Sequence, residues 1–387
     1  MNVLGIGLDY LMLKDEKVRG DVRSRQYVYA DKLSSLNLIV YSPKKEGFKR
    51  QSWSEKLHMY PTNSIHKAFF ICDAYRLASR ICRDQKIDAI TTEDPFTCGI
   101  VGWLLKRKFE IPLNVQVHID FYDNKYWMSL RPVNRLFNAI GKFIIKRADT
   151  IRCGTGVEKA KLAASGVPAD RINVIPVNSE IKKFQRGNGG PIRQKFLNRK
   201  YDRLVLFTGR LVKQKDIPML LEAFPKVLAM APKTLLLIVG TGAEEQAIKA
   251  KAKELNLLGN VQFSGSVPIE VIPDYLAACD VYVVPSIYEG TCIAMTEAMS
   301  AGKPVVVTRF AGAEDLVEDM KTGLLVNIKD KETFAQKILY CFDHPLEAAE
   351  MGKRASVRIE EVFANNRNIE RVIEMWIKTT GKDNDHV

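Results

Sequence analysis

The stretch VYVVPSIYEGTCIAMTEAMSAGKPVVVT, residues 281–308, decides how the chain is read. Its first four residues are apolar and mostly β-branched, which marks a strand buried on both faces, since such a strand has no polar side to alternate. A loop through Glu289 and Gly290 follows, then a segment of helical period, then a second β-branched run at 305–307. Strand, helix and strand in that order make one unit of a parallel sheet. The same unit recurs outward in both directions. Strands are expected near 3–8, 38–41, 89–92, 113–118, 150–152 and 172–175. A later series is expected near 204–207, 235–239, 261–263, 281–284, 305–307 and 324–326, with a helical end from about 334 to 378. The fold class is α/β.

The segment GNGGP at 187–191 suits neither helix nor strand and separates the two series. The expected organisation is an N-terminal domain over 1–186, a linker over 187–191 and a C-terminal domain over 192–360. A C-terminal helix over 361–380 is expected to pack back on the first domain. Two doubly wound, Rossmann-like sheets bind ligands beyond the carboxyl ends of their strands, and facing each other they enclose a cleft. Functional residues are therefore sought in strand-to-helix loops.

Composition narrows the class. With 387 residues, 46% hydrophobic and 27% charged, the chain is too long for one core and too apolar for disorder. Its apolar runs fall far short of the ~20 residues that span a bilayer. The opening MNVLGIGLDY carries Asp9 within its apolar run and no basic leader, so it reads as a first strand and the chain as cytoplasmic. Seven scattered cysteines without a C-x-x-C pair point to free thiols rather than disulfides or zinc. Charge is uneven: residues 1–200 carry +17 and residues 201–387 carry −4, which recovers the total of +13. That excess calls for an acidic partner: nucleic acid, an anionic membrane or a phosphorylated substrate.

Two segments carry chemistry. In PSIYEGTCIAMTEAMSAGKPVVVT (285–308), Gly290 and Thr291 are expected to open a helix whose free N–H groups, through Cys292, form an anion site. Glu297, more than two turns into that helix, can accept two hydrogen bonds from a vicinal diol, and Glu289 lies nearer the reacting group. A capped helix with solvated acids fits each of these residues taken singly. In LVLFTGRLVKQKDIPMLLEAF (204–224), Arg210 and Lys215 follow a strand ending at Gly209, where two cations can neutralise a departing diphosphate. Surface cations in a loop are the plain alternative.

Taken together, G-R-L-x-x-x-K and the later P-S-x-x-E-G-x-x-x-x-x-x-E-A-M-x-x-G-x-P-V-V resemble the retaining nucleotide-sugar glycosyltransferases of family 4, with the GT-B fold. VGTGAEEQAIKAKA (239–252), NVQFSGSVP (260–268) and AGAEDLVEDMKTGLLV (311–326) extend the resemblance, as does NVIPVNSEIKKF, which departs from the family core at residues 177–180. The resemblance implies that Gly209, Arg210 and Lys215 hold the donor diphosphate and that Glu289 contacts the transferred sugar. It further implies that Gly290 and Thr291 donate backbone N–H groups, that Glu297 binds the ribose, and that the base lies against Ser264, Gly265 and Val267. Cys292 stands where a second glycine often occurs, which alters the space beside the donor sugar.

On the acceptor side, His118 ends the strand LNVQVHID at a position resembling the family's active-site histidine, with Asp120 after it; a satisfied polar residue at a domain edge is the alternative. The family's glycine-rich first loop is represented only by Gly20, followed by Arg23 and Arg25. The segment RPVNRLFNAIGKFIIKRA (131–148) puts Val133, Leu136, Phe137, Ile140 and Ile144 on one helical face and Arg135, Lys142 and Lys146 opposite. It reads as a core helix with a solvated basic face, or as a peripheral contact with anionic lipid. The expectation is a retaining glycosyltransferase acting in polysaccharide or glycolipid assembly at the inner face of the membrane. It takes a nucleoside diphosphate sugar as donor and a saccharide or lipid-linked acceptor, with no metal, no other cofactor and no nucleic acid. A nucleotide-sugar epimerase of the same fold and a sugar-binding protein without turnover are the rivals.

Overall fold

The computed structural model describes residues 1–14, 22–177, 181–290, 292–363 and 365–381. The chain divides into two compact units, Met1–Asn178 with Asn365–Val387, and Ser179–Ala364.

The first unit holds β1 (Asn2–Gly7), β2 (Ser35–Val40), β3 (Gln51–Ser52), β4 (Leu57–Pro61), β5 (Ala89–Thr92), β6 (Leu113–Gln116), β7 (Thr150–Cys153) and β8 (Ile172–Val174). Their order is β3-β4-β2-β1-β5-β6-β7-β8. All neighbours are parallel except β3, which runs antiparallel to β4. β1 is the topological switch point, pairing Val3 with Leu36 on one side and with Ala89 on the other. The helix Asn365–Thr379 belongs to this unit: Trp376 meets Tyr29 edge to face at 5.4 Å, and Val372 and Met375 are buried.

The second unit holds β9 (Arg203–Thr208), β10 (Thr234–Val239), β11 (Val261–Gly265), β12 (Val281–Val284), β13 (Val305–Thr308) and β14 (Leu324–Val326) in the order β11-β10-β9-β12-β13-β14. Every pairing is parallel. The apolar runs do not alternate because each face has its own core. Leu204, Leu206, Leu235, Leu237 and Val284 enter one cluster. Val205, Phe207, Leu236, Ile238 and Val283 enter the other.

The boundary differs from the expectation. Residues 187–191 are not a linker; they lie inside the second unit, and the chain passes between units at 178/179 and 364/365. A side chain at Gly187 would put its Cβ 2.0 Å from the Pro273 carbonyl oxygen, and one at Gly189 would stand 2.6 Å from the Ala278 nitrogen. Asn188 N–H donates to the Asp274 carboxylate at 2.7 Å, and the helix Gly190–Leu197 starts directly. These glycines permit close packing rather than flexibility.

Candidate active site

In the second unit β9 is the switch point, with β10 on one side and β12 on the other. The loop after β9 carries Lys215 and the loop after β12 carries Glu289. The two side chains meet, Nζ to Oε1, at 2.7 Å, with only 11% and 9% of their surfaces exposed. Ser286 Oγ donates to the same carboxylate oxygen at 2.8 Å, and Ile287 N–H donates to the Gln214 carbonyl at 2.8 Å, fastening one loop to the other. Burial works against the charge on Lys215, but the Cys292 sulfur and the Glu289 carboxylate outweigh it and raise its pKa. The ammonium therefore persists at neutral pH. Arg210 is exposed in the same loop.

The glycines set that loop. Gly209 has φ +150° and Gly240 φ +134°, and a Cβ on Gly240 would lie 1.9 Å from the Gly209 carbonyl oxygen. Gly209 N–H donates to Val239 O at 2.9 Å, Leu211 N–H to Thr241 O at 2.9 Å, and Gly240 N–H to Gly265 O at 2.8 Å. The carboxyl ends of β9, β10 and β11 are thereby laced together. Val267, just beyond, is half-buried against the core.

The helix after β12 starts later than expected. It spans Ile293–Ser300, so Gly290 and Cys292 precede it and Glu297, half-buried, falls in its second turn rather than beyond it. Thr291 lies outside the described residues. Cys292 does not project freely beside a ligand; it is 3% exposed and belongs to the core cluster. Burial pushes its thiol up to about 12, so it is neutral at physiological pH.

The first unit has its own cavity at the carboxyl ends of its strands, about 80 Å³, lined among others by Gly7, Arg25, Glu93, Gln116, His118 and Arg152. Removal from bulk water, reinforced by the Arg152 and Arg25 guanidiniums, lowers the pKa of His118, so its imidazole is neutral and offers one donor and one acceptor. Arg152 is buried and donates to Ile175 O, Pro176 O and Gln116 Oε1 at 2.9, 2.8 and 3.1 Å. Asp120, singled out beside His118, is taken up by Lys161 at 2.6 Å and Asn124 at 2.9 Å. Arg23 stacks 4.1 Å over the Trp53 ring, while Arg25, in the same helix Val22–Asp31, lines the cavity; Gly20 lies outside the described residues.

Glu93 is the residue that sequence reasoning missed. It follows β5 at the switch beside β1, accepts from Leu8 N–H at 3.3 Å, and occupies the place a side chain at Gly7 would take. Burial raises its pKa from 4.5 to about 7. Below about pH 4.5 the acid is protonated whether folded or unfolded; between that point and pH 7 only the unfolded chain ionises, so the wild type loses stability as pH rises. Glu93→Gln is therefore expected to match wild type at low pH and to exceed it increasingly up to about pH 7, with a constant difference above. Urea midpoints of both proteins across this range check it; a difference independent of pH would contradict it.

Two family models match the chain: Glycosyl transferases group 1 over residues 190–358, and Glycosyl transferase 4-like domain over residues 37–178. The chain belongs to the group 1 glycosyltransferases. This glycosyltransferase is 25% identical over 348 residues to the GDP-mannose-dependent alpha-(1-6)-phosphatidylinositol monomannoside mannosyltransferase of Mycolicibacterium smegmatis, covering 86% of this chain and 88% of the relative. It is 26% identical to the Escherichia coli UDP-Gal:alpha-D-GlcNAc-diphosphoundecaprenol alpha-1,3-galactosyltransferase, with 77% of each chain covered. Its GT-B fold is matched by sucrose-phosphate synthase from Thermosynechococcus elongatus, with a TM-score of 0.84 at 23% identity over 98% of this chain and 99% of that one. The candidate residues of this glycosyltransferase fall into two groupings, one at the switch point of each sheet.

Proposed function

We propose that this glycosyltransferase transfers a sugar, with retention of configuration, from a nucleoside diphosphate donor held by the second unit to a hydroxyl acceptor held by the first. The observation that carries this reading is the Lys215–Glu289 pair across the β9/β12 switch with Arg210 exposed in the same loop. There an ammonium and a guanidinium would face the place where ligands of such sheets bind. Arg210 and Lys215 would neutralise the diphosphate and the charge that grows on it as the glycosidic bond breaks. Glu289 would orient the sugar, Glu297 would hold the ribose hydroxyls, and the base would lie by Ser264, Gly265 and Val267. The amides of Gly290 and Cys292 would complete the rim.

On the acceptor side, a neutral His118 can accept a hydrogen bond from the attacking hydroxyl, with Glu93 and Arg25 in the same cavity. The names of the mycobacterial and Escherichia coli relatives support a nucleotide-sugar donor and a lipid-linked acceptor. We read the setting as polysaccharide or glycolipid assembly at the cytoplasmic face of a membrane, with peripheral attachment.

The test is a thermal-shift panel of nucleoside diphosphates and their sugars. Specific binding at a hundredfold excess over Kd stabilises the fold by about 2.7 kcal/mol. Arg210→Ala is expected to leave the ligand-free transition unchanged, since the side chain is exposed, and to cut the nucleoside diphosphate shift sharply. A variant that kept the full shift, or a wild type stabilised by none of the panel, would overturn the reading.

A further inference from the structure

The helix Pro132–Ile145 buries only part of the apolar face its pattern describes: Ile144 is buried and Phe137 half-buried, while Val133 and Leu136 are exposed. Its buried residues are Asn134, Asn138, Gly141, Ile144 and Ile145. Asn134 Nδ2 donates to Trp127 O at 2.7 Å, and Asn138 accepts from Asp123 N–H and donates to its carboxylate, both at 3.0 Å. A Cβ on Gly141 would stand 2.4 Å from the Phe121 ring. These contacts fix which side faces inward. Outside, Val133, Leu136 and Phe143 are 43%, 59% and 39% exposed, with Ile140 half-buried among them. Their spacing of three, four and three residues makes one continuous stripe.

The stripe has a cationic border. Arg147 lies 3.5 Å from the centre of the Phe143 ring, and Trp103 from the neighbouring helix Thr97–Phe109 meets the same ring edge to face at 5.0 Å. Lys142 and Lys106 are matched by Asp123 and Asp149. Arg131, Arg135, Lys146 and Arg147 have no acid paired with them among the described residues. The pattern of exposed aliphatic and aromatic side chains, edged by unmatched cations, is complementary to a lipid surface with negative headgroups. A second copy related by a two-fold axis would set cation against cation. Nucleic acid has no use for Val133 and Leu136.

We propose that the face formed by Val133, Leu136, Ile140, Phe143, Arg135 and Arg147 docks on an anionic bilayer, with the helix lying in the interfacial plane. Among the described residues no helix is long and apolar enough to cross a membrane, so attachment through this face is peripheral. The inference deepens the lipid-side part of the proposed function and rests on that part alone. Its test needs neither donor nor acceptor, so its failure leaves sugar transfer standing.

The experiment is sedimentation of the intact protein with phosphatidylcholine vesicles, with and without phosphatidylglycerol, at low and high salt. Wild type is expected to bind the anionic vesicles and to be released by salt. Leu136→Ser with Phe143→Ser should lower the partition coefficient about tenfold or more, and Arg135→Glu with Arg147→Glu by a comparable factor of roughly ten. Both variants should keep the wild-type Tm and nucleoside diphosphate shift, because these side chains are exposed and far in sequence from the donor loops. Failure to bind anionic vesicles, equal binding to neutral ones, or binding that both variants retain would overturn the proposal. So would a concentration-dependent dimer abolished by the Leu136→Ser, Phe143→Ser variant, which would assign the stripe to a second copy.

Discussion

Lys215→Met is expected to slow nucleoside diphosphate release from the donor by roughly 100- to 1,000-fold, the usual result of removing one preorganised charge that meets a departing anion. The side chain is nearly buried and already in place, so little reorganisation precedes the reaction and its loss is felt in the chemical step. A second consequence follows from the same geometry. Removing Lys215 leaves the Glu289 carboxylate buried with Ser286 alone on its Oε1, and breaking a buried pair in this way costs about 3–5 kcal/mol. The double variant Lys215→Met, Glu289→Gln replaces the broken pair with neutral groups and should return stability to within about 1 kcal/mol of wild type. Turnover should stay low. Urea midpoints together with nucleoside diphosphate release separate the two effects, and a double variant that regained turnover would show that the pair is only structural.

Gly240→Ala should be the most damaging of the glycine substitutions near the donor loops. Its Cβ would stand 1.9 Å from the Gly209 carbonyl oxygen, a backbone atom that no rotamer change can move, and the φ of +134° is itself costly for alanine. The expected loss is about 3 kcal/mol or more. Relief of the clash requires the Gly209–Leu211 segment to shift, and that segment carries Arg210, so binding of nucleoside diphosphate should fall with stability. Gly265→Ala has open space around its Cβ but a φ of +70°, so strain of about 1 kcal/mol is expected there. Gly259→Ala, with open space and no positive φ, should be nearly neutral. Thermal unfolding of the three variants tests the ordering; a Gly240→Ala protein as stable as Gly259→Ala would contradict the close approach of the two loops.

Much of the scaffold was legible because its strands are buried on both faces. Runs such as 281–284 and 235–239 cannot be amphipathic helices, and the structure places strands there within a residue or two. β4 escaped notice because LHMYP alternates over only five residues and ends in proline, while β3 is two residues long. The glycines at 187–191 were misleading for a physical reason: a glycine needed for close backbone approach and a glycine in a free linker look the same in sequence. The helix Pro132–Ile145 misled in another way: asparagines that bond to Trp127 and Asp123 share its inward side with Ile144, so Val133 and Leu136 stay exposed while Arg135 and Lys146 remain solvated as expected.

The loops after β9 and β12 were legible as motifs, but the contact between Lys215 and Glu289 was not, because it depends on β9 and β12 being neighbours in the sheet. Glu93 could have been noticed as an acid directly after a buried strand. Its raised pKa comes from burial first, with the neighbouring Asp9 and Asp94 carboxylates adding to it against the Leu8 N–H bond, and that burial is assembled only by the fold.

The most direct measurement is a crystal structure of the protein with a nucleoside diphosphate bound. The account predicts the diphosphate at the carboxyl ends of β9 and β12, within hydrogen-bond reach of both Arg210 and Lys215, with the ribose at Glu297. A nucleotide bound elsewhere, or a diphosphate that touches neither cation, would contradict it.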